Sequence, residues 1–409
     1  LETDLFPCLV DMRFLGVRVD VQRAHELKQA LVIKEENLLQ QIKIETGIDV
    51  QLMAARSVAK VFDKLKLPYE RTAKSNAPSF TKNFIMNHEH PIVRMIAEAR
   101  ETNKAHTTFI DTIIKHEHKG RIHADINQIR SDQGGTVTGR FSYSNPNLQQ
   151  LPARNKELGP MIRSIFIPEE GHRWGSFDYS QQEPRLVVHY AALHKFPSVN
   201  DVIDNYENDT STDFHQVVAD MAKIPRSQAK VINLGLFYGM GKAKLQAELG
   251  VSKDKAAELF DQYHAKVPFV KQLMNSASNR AQERGQIRTL LGRLCRFHLW
   301  EPNQFGMHKA LPHEDALQEH GPGIRRAYTY KSLNKLIQGS AADMTKKAML
   351  DLYKNGIVAH VQIHDELCIS VKDQDQADKI VEIMENSVTL EVPNKVDCEL
   401  ATNWGEING

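Results

Sequence analysis

Two strand-forming segments that carry acidic residues constrain the fold of this chain more than any other feature. The first, HRWGSFDYS, predicts a strand with Asp178 near its end, and it turns at once into the helical segment QQEPRLVVHYAALH. The second, VAHVQIHDELCISV at 358–371, alternates apolar residues as a half-buried hairpin does, and Asp365 lies in phase with the apolar face. An unpaired carboxylate there costs on the order of several kcal/mol, so its presence needs a physical reason.

The rest of the chain predicts how these strands are connected. Helical spacing of apolar residues predicts long helices, with residues 186–290 mostly helical and one helix at 270–284 that ends at Gly285. The sheet therefore draws strands from both sides of a helical insertion. The further expected elements are a helix from Asp20 to Gly47, a strand at RIHADINQI, a loop at QGGTVTGRFSYSNPNLQQLPARN, an irregular insertion at 296–325, a helix at 331–354, a helix capped by Asp373 that buries Ile380, Val381 and Met384, and a strand at 394–402.

Size and charge leave the function open. A chain of 409 residues predicts two or three domains, and a net charge of +1 means that any site for a polyanion depends on local clustering. Residues 51–82 are such a cluster, with seven Lys or Arg against Asp63 and Glu70. Two interpretations stay open: a solvated helical face, which is the more common case, and an arm that grips phosphates.

Several site classes are disfavoured by the pattern. No apolar run approaches the length of a membrane span, and no signal peptide opens the chain. The His-Glu-His triplets at 88–90 and 116–118 are typical of surface residues rather than of a zinc site. Four cysteines without CxxC spacing predict free thiols in a reducing compartment: Cys8, Cys295, Cys368 and Cys398.

A metal site would explain the two acidic positions. If both strands belong to one sheet, the carboxylates of Asp178 and Asp365 could meet, and two such anions repel unless a proton or a cation intervenes. Mg²⁺ prefers carboxylate, carbonyl and water oxygens. Two ions about 3.5–4 Å apart can activate a 3′-hydroxyl and stabilise the leaving phosphate oxygen. For either aspartate alone, a capped hairpin turn or a helix N-cap is the more common role.

The segment RSQAKVINLGLFYG at 226–239 predicts a nucleotide-binding helix. Arg226, Lys230, Leu234 and Tyr238 are four residues apart, so each step advances about 40° and the four form one stripe roughly 18 Å long. A cationic half and an aromatic end suit a nucleoside triphosphate. An ordinary amphipathic helix with solvated cations is the alternative. His215, in STDFH, is a further candidate phosphate contact, although a lone histidine is more often structural.

Five segments resemble signatures of family A DNA polymerases, the bacterial DNA polymerase I class. DYSQQEPR, RSQAKVINLGLFYG and VQIHDEL resemble the motifs A, B and C of that family. TVTGRFSYSNPNLQQLP and KSLNKLIQGSAAD resemble two more, and all five occur in family order over about 125–370. KSLNKLIQGSAAD is more similar to phage-type members than to bacterial ones. The opening stretch of the chain resembles the junction that follows the family's exonuclease domain. No exonuclease metal signature fits upstream of residue 20, so proofreading is expected to be absent from these 409 residues.

The resemblance implies a role for each matching residue. It implies metal binding by Asp178 and Asp365, with the carbonyl of Tyr179 as a further ligand and Glu366 beside the site. It implies catalytic roles for Asp178, Asp365 and Lys230, and it makes Glu183 the residue that fills the space of a ribose 2′-hydroxyl. The implied nucleotide-binding residues are Arg226, Lys230, Leu234, Tyr238, His215, Gln181 and Glu183. The implied DNA-binding residues are Arg140, Asn147, Gln149, Asn334, Gln338 and His364.

The resemblance also implies a fold and a function. The expected fold is multi-domain α/β (α+β): a right-hand polymerase with an antiparallel-sheet palm and helical fingers and thumb. The expected boundaries are a junction at 1–20, the thumb at 21–125, the palm at 126–190 and 329–409, and the fingers at 191–328. The expected function is DNA-templated DNA synthesis on primer–template DNA with dNTPs and two Mg²⁺ ions, for which Mn²⁺ can substitute. A monomer in the cytoplasm, the host's if a phage encodes it, with no membrane partner is expected.

Two other functions remain open, and three positions depart from the family pattern. The alternatives are a single-subunit RNA polymerase or reverse transcriptase on a related palm, which Glu183 disfavours in part, and an inactive DNA-binding module. A generic metal phosphohydrolase is disfavoured, because it would have no use for the nucleotide-binding pattern at 226–239. Leu234 stands where the family usually has Phe or Tyr, Gln182 and Pro184 replace apolar residues, and Tyr330 replaces a duplex-contacting Arg.

Overall fold

The computed structural model describes residues 1–129, 135–152, 155–237, 240–304, 306 and 308–407, without the side chains of 236 and 237. The chain forms two compact units. Unit 1 consists of Leu1–Met12, Ile126–Tyr143 and Gly175–Glu399. Unit 2 consists of Arg13–Asp125, Ser144–Trp174 and Leu400–Gly409. Within the described residues, no helix is both long enough and apolar enough to span a bilayer.

Most of the described chain is helical. The α-helices are α1 (Glu2–Leu15), α2 (Val21–Thr46), α3 (Ala55–Leu65), α4 (Lys82–Met86), α5 (Pro91–Lys104), α6 (Asp111–His116), α7 (Leu158–Arg163), α8 (Gln182–Leu193), α9 (Asn200–Asn208), α10 (Phe214–Ala222), α11 (Arg226–Phe237), α12 (Lys242–Leu249), α13 (Lys253–Lys266), α14 (Pro268–Arg284), α15 (His313–His320), α16 (Ser332–Lys354) and α17 (Gln374–Asn386). A π-helical segment, Ala105–Ile110, joins α5 to α6.

The strands are short. They are β1 (Val17–Val19), β2 (Glu70–Arg71), β3 (Pro78–Ser79), β4 (Glu117–His118), β5 (Arg121–Ile122), β6 (Asp125–Asn127), β7 (Ser142–Ser144), β8 (Phe166–Ile167), β9 (Arg173–Tyr179), β10 (Gln286–Arg288), β11 (Leu294–Arg296), β12 (Trp300–Pro302), β13 (Ile324–Arg326), β14 (Val361–Ile363), β15 (Glu366–Val371) and β16 (Val396–Ala401). Among the described residues, the strands form two four-stranded sheets, β4-β5-β1-β8 and β14-β15-β9-β16, and four two-stranded pairs.

The sheet β14-β15-β9-β16 carries the acidic residues. β14 and β15 form an antiparallel hairpin in which Ile363 pairs with Glu366, and His364 in the turn has φ 57°. Gly175 lets β9 lie close to its neighbours, since a Cβ there would come within 2.7 Å of the side chains of both Phe177 and Val371. The sheet therefore joins strands from both sides of the helical insertion, as the sequence predicts.

Helix α16 forms the centre of unit 1. It packs against α8, α14 and α17, and most of its residues are buried. One of them is Lys346, which is 1% exposed and lies 2.8 Å from Oε1 of Glu2 in α1. Arg293 also contacts the Glu2 carboxylate and pairs with the buried Asp343 at 3.0 Å. The first turn of α1 thus supplies the counter-charge for a buried lysine.

Unit 2 contains its own core. Helices α2 and α5 pack together, and α3 adds Val58, Val61 and Phe62 to their apolar cluster. The opposite face of α3 exposes Arg56, Lys60 and Lys64, four residues apart. The basic segment 51–82 therefore contains an amphipathic helix, α3, with a cationic outer face, followed by a short hairpin, β2–β3.

The structure corrects some expectations about single elements. The segment 296–325 is not irregular, because β12 and β13 pair with each other and enclose α15. The polar loop after residue 132 contains β7, and RIHADINQI divides into β5 and β6 instead of forming one strand. In α17 the residues Ile380 and Met384 are buried, but Val381 is half-exposed. All four cysteines are free thiols.

Candidate active site

The sheet brings Asp178 and Asp365 together. β9 and β15 are neighbours in the sheet, and the amide of Tyr179 donates to the carbonyl of Asp365 at 3.3 Å. Beside this contact, the hydroxyl of Ser176 donates to Oε1 of Glu366 at 2.6 Å. A hydrogen bond between the residue after Asp178 and Asp365 itself makes the two aspartates adjacent, although 186 residues separate them in the chain.

The electrostatics of this acidic site oppose two charged carboxylates. The Asp178 side chain is exposed at the surface, yet partial desolvation of its carboxylate, and then the charges of Asp365, Glu366 and Asp397, raise its pKa. The pKa of Asp365 is also raised, by burial and by Glu366, although a backbone hydrogen bond and Arg140 act in the opposite direction. Such a group of carboxylates is relieved by a proton or by a bound cation.

The donor atoms of this site fit a hard divalent cation. The structure shows no group of three or more His, Cys, Asp or Glu side chains placed to hold a metal among the residues it describes. Mg²⁺, however, commonly uses one or two carboxylates and completes its coordination with waters and substrate phosphates. Asp178, Asp365 and the carbonyl of Tyr179 are oxygen donors of that kind. The side chain of Tyr179 is buried, and its hydroxyl donates to the carbonyl of Met384 at 2.6 Å.

Helix α11 presents the predicted cationic stripe. Arg226 begins the helix and forms an ion pair of 2.5 Å with Asp213, which also caps α10. Lys230 is exposed one turn later and forms no ion pair within the described part of the chain. Leu234 follows half-buried, and Tyr238 lies outside the described residues. Two cations and an aliphatic side chain thus follow one another along the helix.

His215 lies behind this stripe. It is 8% exposed, and its Nδ1 is 3.0 Å from Nδ2 of Asn233 in α11. The Oδ1 atom of Asn233 in turn accepts a hydrogen bond from the hydroxyl of Tyr263 in α13. Burial lowers the pKa of His215 to about 4, and the charges of Lys230 and Arg226 act in the same direction while Asp213 acts against them.

The start of α8 is held by polar contacts. Glu183 accepts a hydrogen bond of 2.7 Å from Arg140, and its side chain is 14% exposed. The side-chain amide of Gln181 bonds to the backbone at the start of α10. Its Nε2 donates to the carbonyl of Thr212, and its Oε1 accepts from the amide of Phe214. Gln182 is buried and donates to Thr345 at 3.2 Å, which explains how a polar residue is accommodated where the family has an apolar one.

The predicted DNA-binding residues are divided between the units. His364 lies in the hairpin turn with its side chain exposed, and partial desolvation of its ring, followed by the charge of Arg140, lowers its pKa. Asn334 and Gln338 lie one turn apart on α16, half-buried. Tyr330 is 54% exposed just before that helix. Asn147 and Gln149 belong to unit 2, where Asn147 caps a short 3₁₀ turn by accepting from the amide of Gln149 at 3.1 Å.

Sequence reasoning missed the residues that hold the predicted ones in place. Ser176, Asp213, Asn233 and Tyr263 each bond a candidate site residue or its neighbour. Asp213 had a local signal, since an aspartate two residues before His215 is a typical N-cap. Tyr263 had none, because its partner is 30 residues away.

Comparisons with known proteins agree on one family. A family model described as DNA polymerase family A matches residues 21–406. The chain is 34% identical to a DNA-directed DNA polymerase of Pseudomonas phage M6, over 100% of this chain and 66% of that protein. It is 31% identical to DNA polymerase I of Geobacillus stearothermophilus, over 99% of this chain and 45% of that protein.

A solved structure gives the same result. The POL domain of Pol1 from M. smegmatis, in complex with DNA primer-template and dNTP, superposes with a TM-score of 0.79 at 25% identity. The match covers 99% of this chain and 70% of that one. The mixed α/β architecture expected from the sequence is thereby confirmed.

Proposed function

The chain belongs to DNA polymerase family A, and from this premise we propose that it extends the 3′-hydroxyl of a primer with deoxynucleotides selected by a DNA template. The observation that carries the proposal is the adjacency of Asp178 and Asp365 on neighbouring strands, at a site that disfavours two bare carboxylates. The chain spans about two thirds of the phage relative and less than half of the bacterial one.

We propose that Asp178, Asp365 and the carbonyl of Tyr179 hold the divalent cations, with Glu366 beside them. Two Mg²⁺ ions, for which Mn²⁺ can substitute, would supply activation of the 3′-hydroxyl and stabilisation of charge on the leaving oxygen. The protein positions the oxygen donors through hydrogen bonds. Ser176 fixes the Glu366 carboxylate, and the backbone bond from Tyr179 fixes the hairpin turn at Asp365.

The triphosphate would bind along α11. Lys230 and Arg226 bring positive charge to the phosphates, and His215 offers a neutral hydrogen-bond donor. Pyrophosphate then leaves as the primer oxygen bonds to the α-phosphorus, with positioning and charge stabilisation providing most of the rate. Lys230, which has no counter-ion in the described residues, is available for a phosphate without first breaking an ion pair. Gln181 and Leu234 would border the nucleotide, with Tyr238 at the end of the stripe.

We propose duplex contacts for each unit separately. In unit 1 the proposed contacts are Arg140, Asn334, Gln338 and His364, and in unit 2 they are Asn147 and Gln149. Minor-groove acceptors are common to all base pairs, so such contacts can check the shape of a pair without reading its identity. We assign residues 21–125 to the thumb, 126–190 and 329–409 to the palm and 191–328 to the fingers. Synthesis would take place in the bacterial cytoplasm, as phage and bacterial relatives suggest.

The proposal is tested by neutralising each aspartate. Asp178→Asn and Asp365→Asn should each reduce single-turnover primer extension by at least about 10³-fold, because the metal charge is no longer held, while the affinity for primer–template stays within about threefold. Asp397→Asn is the matched control, since Asp397 contributes to the repulsion at Asp178 but lies outside the proposed ligand set. Normal extension by either aspartate variant would refute the assignment.

A further inference from the structure

A buried chain of three side chains links the helix bundle of unit 1 to the proposed triphosphate site. Tyr263 in α13 and Asn233 in α11 are both 0% exposed, and they lead to His215 in α10. The Tyr263 hydroxyl donates to Oδ1 of Asn233, which leaves the Nδ2 group of Asn233 to donate to Nδ1 of His215 at 3.0 Å. Side chains of the three helices α10, α11 and α13 thus form one hydrogen-bonded chain that ends at the imidazole of His215.

This chain fixes the position of the imidazole proton. Because Nδ1 accepts from Asn233, a neutral His215 must carry its proton on Nε2. Turning over the amide of Asn233 would leave the Tyr263 hydroxyl able only to accept from Nδ2, with its own proton unpaired at a buried position. The backbone amide of His215 donates to Asp213 at 2.9 Å, so the residue is held at both its backbone and its ring.

The charges around the ring keep it neutral. Lys230 and Arg226 of α11 disfavour a further positive charge, Asp213 of the loop before α10 favours it, and the facing residues of α11 and α13, Asn233 and Tyr263, are uncharged. Burial is the largest influence, and with it the pKa of His215 falls to about 4. In the protein without bound nucleotide, the imidazole is therefore uncharged at neutral pH.

We propose that Asn233 and Tyr263 are positioning residues that hold His215 as the Nε2–H tautomer, so that the ring donates one hydrogen bond to the triphosphate of the incoming nucleotide. This inference rests on the proposed function of the same site. It separates two tasks: the cations of α11 supply charge, and His215 supplies a directed donor whose strength does not change with pH.

The first experiment exchanges the donor and the acceptor in the hydrogen bond between residue 233 and His215. In Asn233→Asp a carboxylate replaces the amide, and it can only accept from Nδ1–H. The pKa of His215 then rises, and above that pKa the neutral ring turns its Nε2 lone pair toward the phosphates. The KM for dNTP should therefore increase by about tenfold between pH 5.5 and 8.5, whereas the KM of the parent should not titrate with His215. The double variant Asn233→Asp with His215→Gln should lose this additional pH dependence.

The second experiment removes the outer member without introducing a charge. Tyr263→Phe keeps the buried ring but frees Asn233 to turn over. We expect the KM for dNTP to rise several-fold with kcat within about threefold, since the hydrogen bond is made in the ground state as well as in the transition state. A fall in kcat as large as the rise in KM would indicate a merely structural role and overturn the proposal. A lowered thermal stability that accounts for the change would do the same.

A spectroscopic measurement is independent of catalysis. The ¹⁵N spectrum of labelled histidine, with the His215 signals assigned by His215→Gln, should show the Nε2–H tautomer at pH 7 in the parent and a mixture in Tyr263→Phe. An Nδ1–H or charged His215 in the parent contradicts the inference even if primers are extended. Conversely, a parent that holds the Nε2–H tautomer but adds no nucleotide refutes the proposed function and leaves the role of Asn233 and Tyr263 on the ring supported.

Discussion

The hydrogen bond between Arg140 and Glu183 joins two residues with different proposed tasks, one toward the duplex and one toward the sugar of the nucleotide. Glu183→Ala removes the side chain that would occupy the space of a 2′-hydroxyl. We expect the ratio of ribonucleotide to deoxynucleotide incorporation to rise by at least about tenfold, because the 2′-hydroxyl of a ribonucleotide would then fit beside residue 183. Single-nucleotide extension with dNTP or NTP on one primer measures this ratio.

Arg140→Met provides the control for this prediction. It removes the ion pair but leaves the volume of Glu183 in place, so extension should slow while the sugar ratio stays within about threefold of the parent. If Arg140→Met relaxed the ratio as much as Glu183→Ala, the ion pair rather than the bulk of Glu183 would exclude ribonucleotides.

Leu234 gives a second prediction about the sugar. It is half-buried on α11 where the family usually has an aromatic residue. Leu234→Phe introduces a flat surface in place of a branched aliphatic one, so the ratio of dideoxy to deoxy incorporation should change by about tenfold or more. Leu234→Met, which nearly conserves volume and polarity, should leave the ratio close to that of the parent. Equal ratios in all three proteins would contradict the placement of Leu234 at the nucleotide.

Between elements, the first turn of α1 is tied to α16 through Glu2 and the buried Lys346. Burial alone would raise the pKa of Glu2, but the hydrogen bonds and charges of Lys346 and Arg293 outweigh it and lower that pKa. Glu2→Gln leaves a buried ammonium without its carboxylate. We expect it to reduce the free energy of unfolding at pH 7 by about 2–3 kcal/mol, as measured by urea denaturation.

The pH dependence of this loss has a defined sign. A carboxylate with a lowered folded-state pKa stabilises the fold above its ordinary value of 4.5, and that contribution disappears as the pH falls through the folded-state pKa. The difference between parent and Glu2→Gln should therefore shrink below about pH 4.5. Asp4→Asn changes a carboxylate of the same turn that is 68% exposed, and it should cost less than about 0.5 kcal/mol.

The elements also show what a sequence can predict. The strand β9 followed by α8, the hairpin β14–β15 and the helix α16 have long, regular patterns, and the structure has all of them. The pair β12–β13 was missed because strands of three residues show almost no alternation. The aspartates were predicted from their position in strands, but Asn233 and Tyr263 were not, because their bonds depend on how three helices pack.

At the scale of the whole molecule, unit 2 contains a local cluster of positive charge, although the net charge of the chain is only +1. The outer face of α3 exposes Arg56, Lys60 and Lys64. If this face grips the phosphates of the duplex, Lys60→Gln with Lys64→Gln should weaken binding of primer–template and should reduce the slope of log K against log salt concentration by about 0.9 for each lost contact. The KM for dNTP should not change.

A pair of exposed lysines elsewhere in unit 2 provides the control. Lys115→Gln with Lys119→Gln removes the same charge from residues outside α3. An equal loss of affinity and slope in both double variants would mean that the charge of the unit, and not the face of α3, attracts DNA. No change in the α3 variant would leave that face as an ordinary solvated one.

The central claim is that one site, formed by Asp178 and Asp365, adds the deoxynucleotide that the template specifies. Single-nucleotide extension tests it most directly, with each dNTP offered alone on four templates that differ only in the first unpaired base. We predict efficient addition of the complementary dNTP on each template, release of pyrophosphate, and loss of all four additions in Asp365→Asn. Addition of the same nucleotide whatever the template base, or unchanged addition by Asp365→Asn, would contradict it.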